Sequence, residues 1–184
     1  MNGPGWEEKK IKLKTRQIVI AGMLGAISII LGATGLGLIP VPTPAGHVTI
    51  MHLPAILGGI IEGPVVGLLI GLIFGVFSFL RATNPIFADP IIAVLPRLFI
   101  GVAAYYSYRA TLRLNENVSL AVAGVIGTIV NTAGVLTLAV LRGYLPLSAA
   151  LAVAGSHGIP EAIIAALFAV LLGRVLINYQ ANQG

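Results

Sequence analysis

Three side chains stand where hydrocarbon is expected: Arg97, Asn131 and Glu161, each inside a long apolar stretch. An ionisable group inside a membrane span costs about 2.5–3.5 kcal/mol on insertion scales, and such groups mark function. Their types suggest recognition rather than covalent chemistry. A guanidinium pairs a carboxylate or carbonyl-rich ligand through two hydrogen bonds. A carboxylate binds a polar group or tunes the guanidinium, and an amide both donates and accepts. The bland alternative is a mutual Arg97–Glu161 ion pair, with Asn131 bonded to a neighbouring helix. His47, His52 and His157 lack helical metal spacing with one another, although three convergent imidazoles suffice for a metal. Asn84 and Asp89, between Pro85 and Pro90, join the histidines as rim candidates. The only tryptophan, Trp6, lies in the basic N-terminal lead, so Phe87, Tyr105, Tyr106 and Tyr144 are the rings left to line a site. HExxH, G-x-S-x-G and the G-x-x-x-x-G-K-[ST] phosphate loop are all missing, so no enzymatic activity and no ATP hydrolysis of the usual kind is expected from the chain itself. With no cysteine, thiolate metal sites and disulfides are excluded, and neither a cofactor nor a resident metal is expected.

The elements that must position these groups are membrane helices. The chain has 184 residues, 57% hydrophobic and 9% charged, against about 25% charged in a soluble domain. The composition therefore predicts an all-α integral membrane protein, with six transmembrane helices of about 20 residues using up the chain. They are placed over about 17–35, 48–61, 64–80, 91–108, 118–141 and 159–177. A basic segment, 1–16, precedes this transmembrane domain (17–177), and a polar tail, 178–184, expected to fray, follows it. The second span is short, with its outer end unwound or tilted. Residues 142–158 form an outside connection, with 147–154 able to turn helical. No small-residue cleavage site follows the first apolar run, so it is read as a permanent span.

Charge sets the orientation. Lys9, Lys10, Lys12, Lys14, Arg16, Arg109, Arg113 and Arg174 fall on one side, and Arg81 and Arg142 on the other. Positive charge marks the cytoplasmic face, so both termini are placed in the cytoplasm. The net charge of +5 thus reads as topology and lipid contact, not nucleic-acid binding. At 1.5 Å rise per residue, Arg97 lies roughly 9 Å below the outer end of its span, Asn131 about 15 Å, and Glu161 only a few ångströms. One cavity open to the outside can hold all three. The segment from Gly35 to Pro54, broken by Pro40, Pro42 and Pro44, would cap it. Irregular backbone survives in a membrane only at the surface or around a cavity. Two further patterns concern helix contact. Ala21 with Gly25, and Gly22 with Ala26, are small residues one turn apart on span one, suited to its own bundle or to a partner subunit. Gly67, Gly71 and Gly75 repeat every four residues on span three as a contact seam.

Several stretches together resemble the substrate-binding (S) components of energy-coupling factor (ECF) transporters, which take up vitamins in bacteria and archaea. They are Ala21-x-x-x-Gly25 after a basic N-terminus, HVTIMHLP (47–54), Glu62-Gly63-Pro64-Val65-Val66-Gly67 with Gly71 and Gly75, and LPRLFIG (95–101). The family motif on span one has two alanines, where this chain has Gly25 as the second. The resemblance implies an outer pocket capped by the loop after span one. It also implies binding without hydrolysis, with a transmembrane coupling subunit and two ATPase subunits driving release as the S component topples. Ala21, Gly22, Gly25 and Ala26 would be the docking face. HVTIMHLP and LPRLFIG look most like the branch that includes pantothenate components, and an anionic vitamin suits Arg97. Riboflavin, folate and pyridoxine remain alternatives, as does a stand-alone carrier of small solutes.

Overall fold

The computed structural model describes residues 13–40, 47–82 and 84–182, with the His47 side chain outside that description. Lys9, Lys10 and Lys12 likewise lie outside the described residues. The protein is a helical bundle with a small hairpin at one end. Helix α1 (Thr15–Thr34) stops at Gly35, whose φ of 76° needs glycine. Strands β1 (Leu38–Pro40) and β2 (His47–Thr49) pair antiparallel, Leu38 opposite Thr49. Helix α2 (Leu53–Glu62) follows, started by Pro54, and α3 (Pro64–Leu80) is started by Pro64. A 3₁₀ turn (Pro85–Ala88), capped by Asn84, leads to α4 (Pro90–Thr111), capped by Asp89. Helix α5 (Glu116–Leu141) is capped by Asn115. Helix α6 (Leu147–Val153) passes through a π-helical turn (Ala154–Gly158) into α7 (Ile159–Ala181).

Four apolar stretches are long enough to cross a membrane: α1, α4, α5 and the 35-residue run of α6, π turn and α7. The other two expected spans fall on shorter apolar helices, α2 and the 17-residue α3. Helix α2 has ten residues, about 15 Å, half of a hydrocarbon core of roughly 30 Å. The outer end of the second span, expected to be unwound or tilted, pairs as a strand over 47–49, and the helix starts at Leu53 with Pro54 in its first turn. The segment read as an outside connection is mostly helix, continuous with α7. The tail expected to fray is helical through Ala181, and Gln180 donates to Glu62 at 3.0 Å.

Helices α3, α4 and α5 pack side by side at the centre, and α2 fills the gap beneath the hairpin. The core is Ile56, Ile70, Ile100 and Leu120, all with no exposed surface. The glycine seam allows this closeness. A Cβ on Gly71 would sit 2.0 Å from the Arg97 carbonyl oxygen, and one on Gly101 2.5 Å from the Gly67 Cα. Backbone meets backbone there, and the seam fixes where α4 carries Arg97.

Candidate ligand-binding site

At the hairpin end of the bundle lies a cavity of about 780 Å³, within the range of roughly 300–1,000 Å³ that holds small organic ligands. Its wall draws on α1, the hairpin, α3, the 3₁₀ turn, α4, α5, the π turn and α7. Arg97, Asn131, Glu161, His157 and Asn84 all line it.

Arg97 owes its position to the residue before it. Pro96 has no N–H, so the carbonyl one turn back, on Ile92, loses its helical donor. The Arg97 Nη1 donates to that carbonyl at 2.8 Å. The guanidinium carbon lies over the Phe87 ring, 4.9 Å from its centroid, and over the Phe74 ring at 5.6 Å. Aromatic faces attract a cation, so both rings favour the guanidinium. Arg97 is 4% exposed, and its Nε has no hydrogen-bond partner among the described residues. Gly134 makes room opposite, where a Cβ would come 2.9 Å from Pro96.

Asn131, on α5, is 8% exposed, and its Oδ1 also lacks a partner among the described residues. A buried polar group left unpaired costs about 1–3 kcal/mol. Both residues line the same cavity.

Glu161 behaves differently. It is 1% exposed, and both carboxylate oxygens are occupied. Thr49 Oγ1 donates to Oε1, and Thr132 Oγ1 donates to Oε2 at 2.8 Å. His157 Nε2 lies 3.7 Å from Oε2, and His52 Nδ1 3.8 Å from Oε1. No ion pair joins Arg97 to Glu161 among the described residues, which removes the mutual-pair reading.

The remaining candidates fall in several places. His52 is not a rim residue. It caps α2 and is wholly buried. The Thr128 hydroxyl gives its hydrogen to the Gly124 carbonyl at 2.9 Å, so at the 2.9 Å contact with His52 Nε2 it accepts. His157, on the π turn, keeps 22% of its side chain exposed. Asn84 reaches the rim while its Oδ1 accepts from the Ile86 N–H. Asp89, also 4% exposed, pairs with Arg142 and accepts from Ile91 N–H. Burial opposes its ionisation, but those bonds outweigh it and hold its carboxyl below the usual value. Tyr105 does not line the cavity. It lies fifteen residues into α4, about 22 Å along the axis, beside Tyr106. His47 falls in β2 with its side chain outside the described residues. Among the described residues no group of His, Asp and Glu converges for a metal.

The small residues of α1 divide. Ala21 and Gly25 face inward, where a Cβ on Gly25 would meet Ile73 at 2.6 Å. Gly22 and Ala26 face outward, with nothing within 4 Å of a Cβ on Gly22. Of the four residues of the expected docking face, only Gly22 and Ala26 are exposed.

Sequence reasoning missed Thr49, Thr132 and Phe74 as parts of the site. Threonine and phenylalanine are ordinary in membrane helices, so only their convergence distinguishes them. Pro96 carried a usable signal: a proline directly before a buried arginine frees a carbonyl for it.

A search of curated proteins gave no match. Among solved structures, one described as "Structure and mechanism of the S component of a bacterial ECF transporter" is similar with a TM-score of 0.57. At 22% identity, the match covers 92% of this chain and 98% of the other, which is a likeness of fold. The family model for "ECF transporter, substrate-specific component" matches residues 16–173, nearly the whole described bundle. A largely apolar cavity with a few charged and amide groups, at one end of a membrane bundle, suits a substrate-binding transport subunit, and the chain belongs to the substrate-specific components of ECF transporters.

Proposed function

We propose that the protein captures a carboxylate-bearing, water-soluble vitamin, best matched by pantothenate, from outside the cell membrane. In this reading the hairpin end faces out, both termini face the cytoplasm, and α2 with the hairpin completes a six-helix traverse. Release is driven by a transmembrane coupling subunit and two ATPase subunits, since the chain carries no phosphate loop. The outward Gly22–Ala26 ridge of α1 is the docking surface.

One observation carries the choice of ligand: Arg97 lines the cavity, buried beside the Phe74 and Phe87 rings, with the Nε edge of its guanidinium unpartnered among the described residues. An in-plane carboxylate satisfies that edge with charge-assisted bonds, and an amide or hydroxyl donor of the same molecule satisfies Asn131. Pantothenate offers all three groups. The cavity volume of about 780 Å³ favours a second reading, folate, which is larger and also carries carboxylates. Purified protein titrated with pantothenate, its alcohol analogue, folate, riboflavin and pyridoxine decides between them. Tight binding of pantothenate, with its alcohol analogue at least tenfold weaker, is the expected result. Equal binding of acid and alcohol sinks the carboxylate assignment.

A further inference from the structure

Glu161 stands in the cavity wall, with each of its carboxylate oxygens already accepting a hydrogen bond from the protein. Its oxygens accept from Thr49 and Thr132 and face His52 and His157. These four residues belong to four different elements: β2, α5, the cap of α2 and the π turn. Beyond its pairing with β1, β2 packs on α7 and on the π turn, the elements that carry Glu161 and His157. Thr49, the last residue of β2, is the point where the hairpin is hydrogen-bonded to the bundle through a charged acceptor. Thr132 holds the second oxygen, so the carboxylate stays aimed when Thr49 leaves.

We propose that Glu161 is a positioning residue: through Thr49 it clasps the hairpin over the cavity, and it sets how long the ligand stays without touching it. Lifting β2 strips a buried carboxylate of one donor, and such a loss is costly where water is scarce. Opening is slowed, while capture by the already open protein is not. This inference rests on the cavity being the ligand site.

The test uses Thr49→Val, Thr49→Ser, Glu161→Gln and the Thr49→Val/Glu161→Gln double variant of the full chain in lipid nanodiscs. Two readouts are taken: association and dissociation rates of pantothenate, and hydrogen exchange of the Val48 and Ile50 amides without ligand. We expect Thr49→Val and Glu161→Gln each to speed dissociation about tenfold, and association by up to the same factor, because the ligand-free hairpin also opens more often. Hairpin exchange should rise by a similar factor. Thr49→Ser restores the wild-type rates, and the double variant is no worse than either single one, because one bond is being removed. Unchanged dissociation and exchange in Thr49→Val, or fully additive effects, overturn the clasp. So does a Glu161→Gln protein that alters the preference for pantothenate over its alcohol analogue while Thr49→Val does not, since Glu161 then touches the ligand. If wild-type protein binds no pantothenate, the ligand assignment fails, and hairpin exchange still decides for or against the clasp.

Discussion

The two ends of the bundle treat polar groups in opposite ways. At the hairpin end, Arg97 Nε and Asn131 Oδ1 are buried beside a cavity with no partner among the described residues. At the end that holds the termini, Glu62 accepts from Arg16 at 2.7 Å and from Gln180 at 3.0 Å, and its carbonyl accepts from Gln17 at 3.1 Å. That cluster ties the start of α1, the α2–α3 turn and the end of α7 into one knot. A closed polar cluster stabilises the fold, whereas an open one at a cavity spends stability on recognition. The first end is read as a site for that reason, and the second is not, although both contain Arg and Glu.

The contrast can be broken most sharply at Arg97. Arg97→Lys should weaken pantothenate binding roughly a hundredfold, because an ammonium cannot present a planar edge. Arg97→Met should abolish binding with a much smaller loss of thermal stability, since it removes a buried charge while leaving the Ile92 carbonyl without its donor. A drop in thermal stability as large as the loss of binding would show that Arg97 is structural. Next in size is Gly71→Ala, whose methyl would collide with the Arg97 carbonyl. Overpacking of this kind costs about 1–3 kcal/mol, and it should lower both melting temperature and affinity, because α4 carries the guanidinium away from its place. Glu62→Ala, at the opposite end, should lower stability by about 1 kcal/mol while titration finds affinity unchanged. An affinity loss there would mean the two ends are coupled.

The smallest effect concerns Asp89, whose folded-state carboxyl lies below its ordinary value. A depressed carboxylate contributes stability above its unfolded pKa, near 3.9, and loses it as pH falls through the folded value. Melting curves should therefore show a stabilising contribution at pH 7 that fades below about pH 4. In Asp89→Asn that acid-dependent part should be gone, with ligand affinity at pH 7 little altered.

Much of the helical skeleton was legible in the residues. Helix α3 was placed at 64–80 and matches residue for residue, because Glu62-Gly63-Pro64 breaks one helix and begins the next within three positions. Helix α5 was nearly as clear for its length and its end at Arg142. The hairpin was not, since a three-residue strand carries no usable period and His47-Val48-Thr49 reads equally as the start of an apolar helix. Of the candidate site, Arg97 and Asn131 were found as polar residues out of place. Tyr105 was a wrong inclusion, chosen by residue type when its position on α4 put it too deep.

Composition and punctuation alone determined that this is a membrane bundle with polar groups gathered near one end, because lipid tolerates neither open backbone nor stray charge. Which of those groups stay free was decided only in three dimensions. Glu161 and Arg97 look alike along the chain, both charged and both inside spans. Folding brings two threonines and two imidazoles to the first, and gives the second one carbonyl, two aromatic faces and an empty edge. A hydrogen-bond partner from a distant helix leaves no trace in local sequence, so the difference between a clasp and a binding group belongs to the tertiary structure.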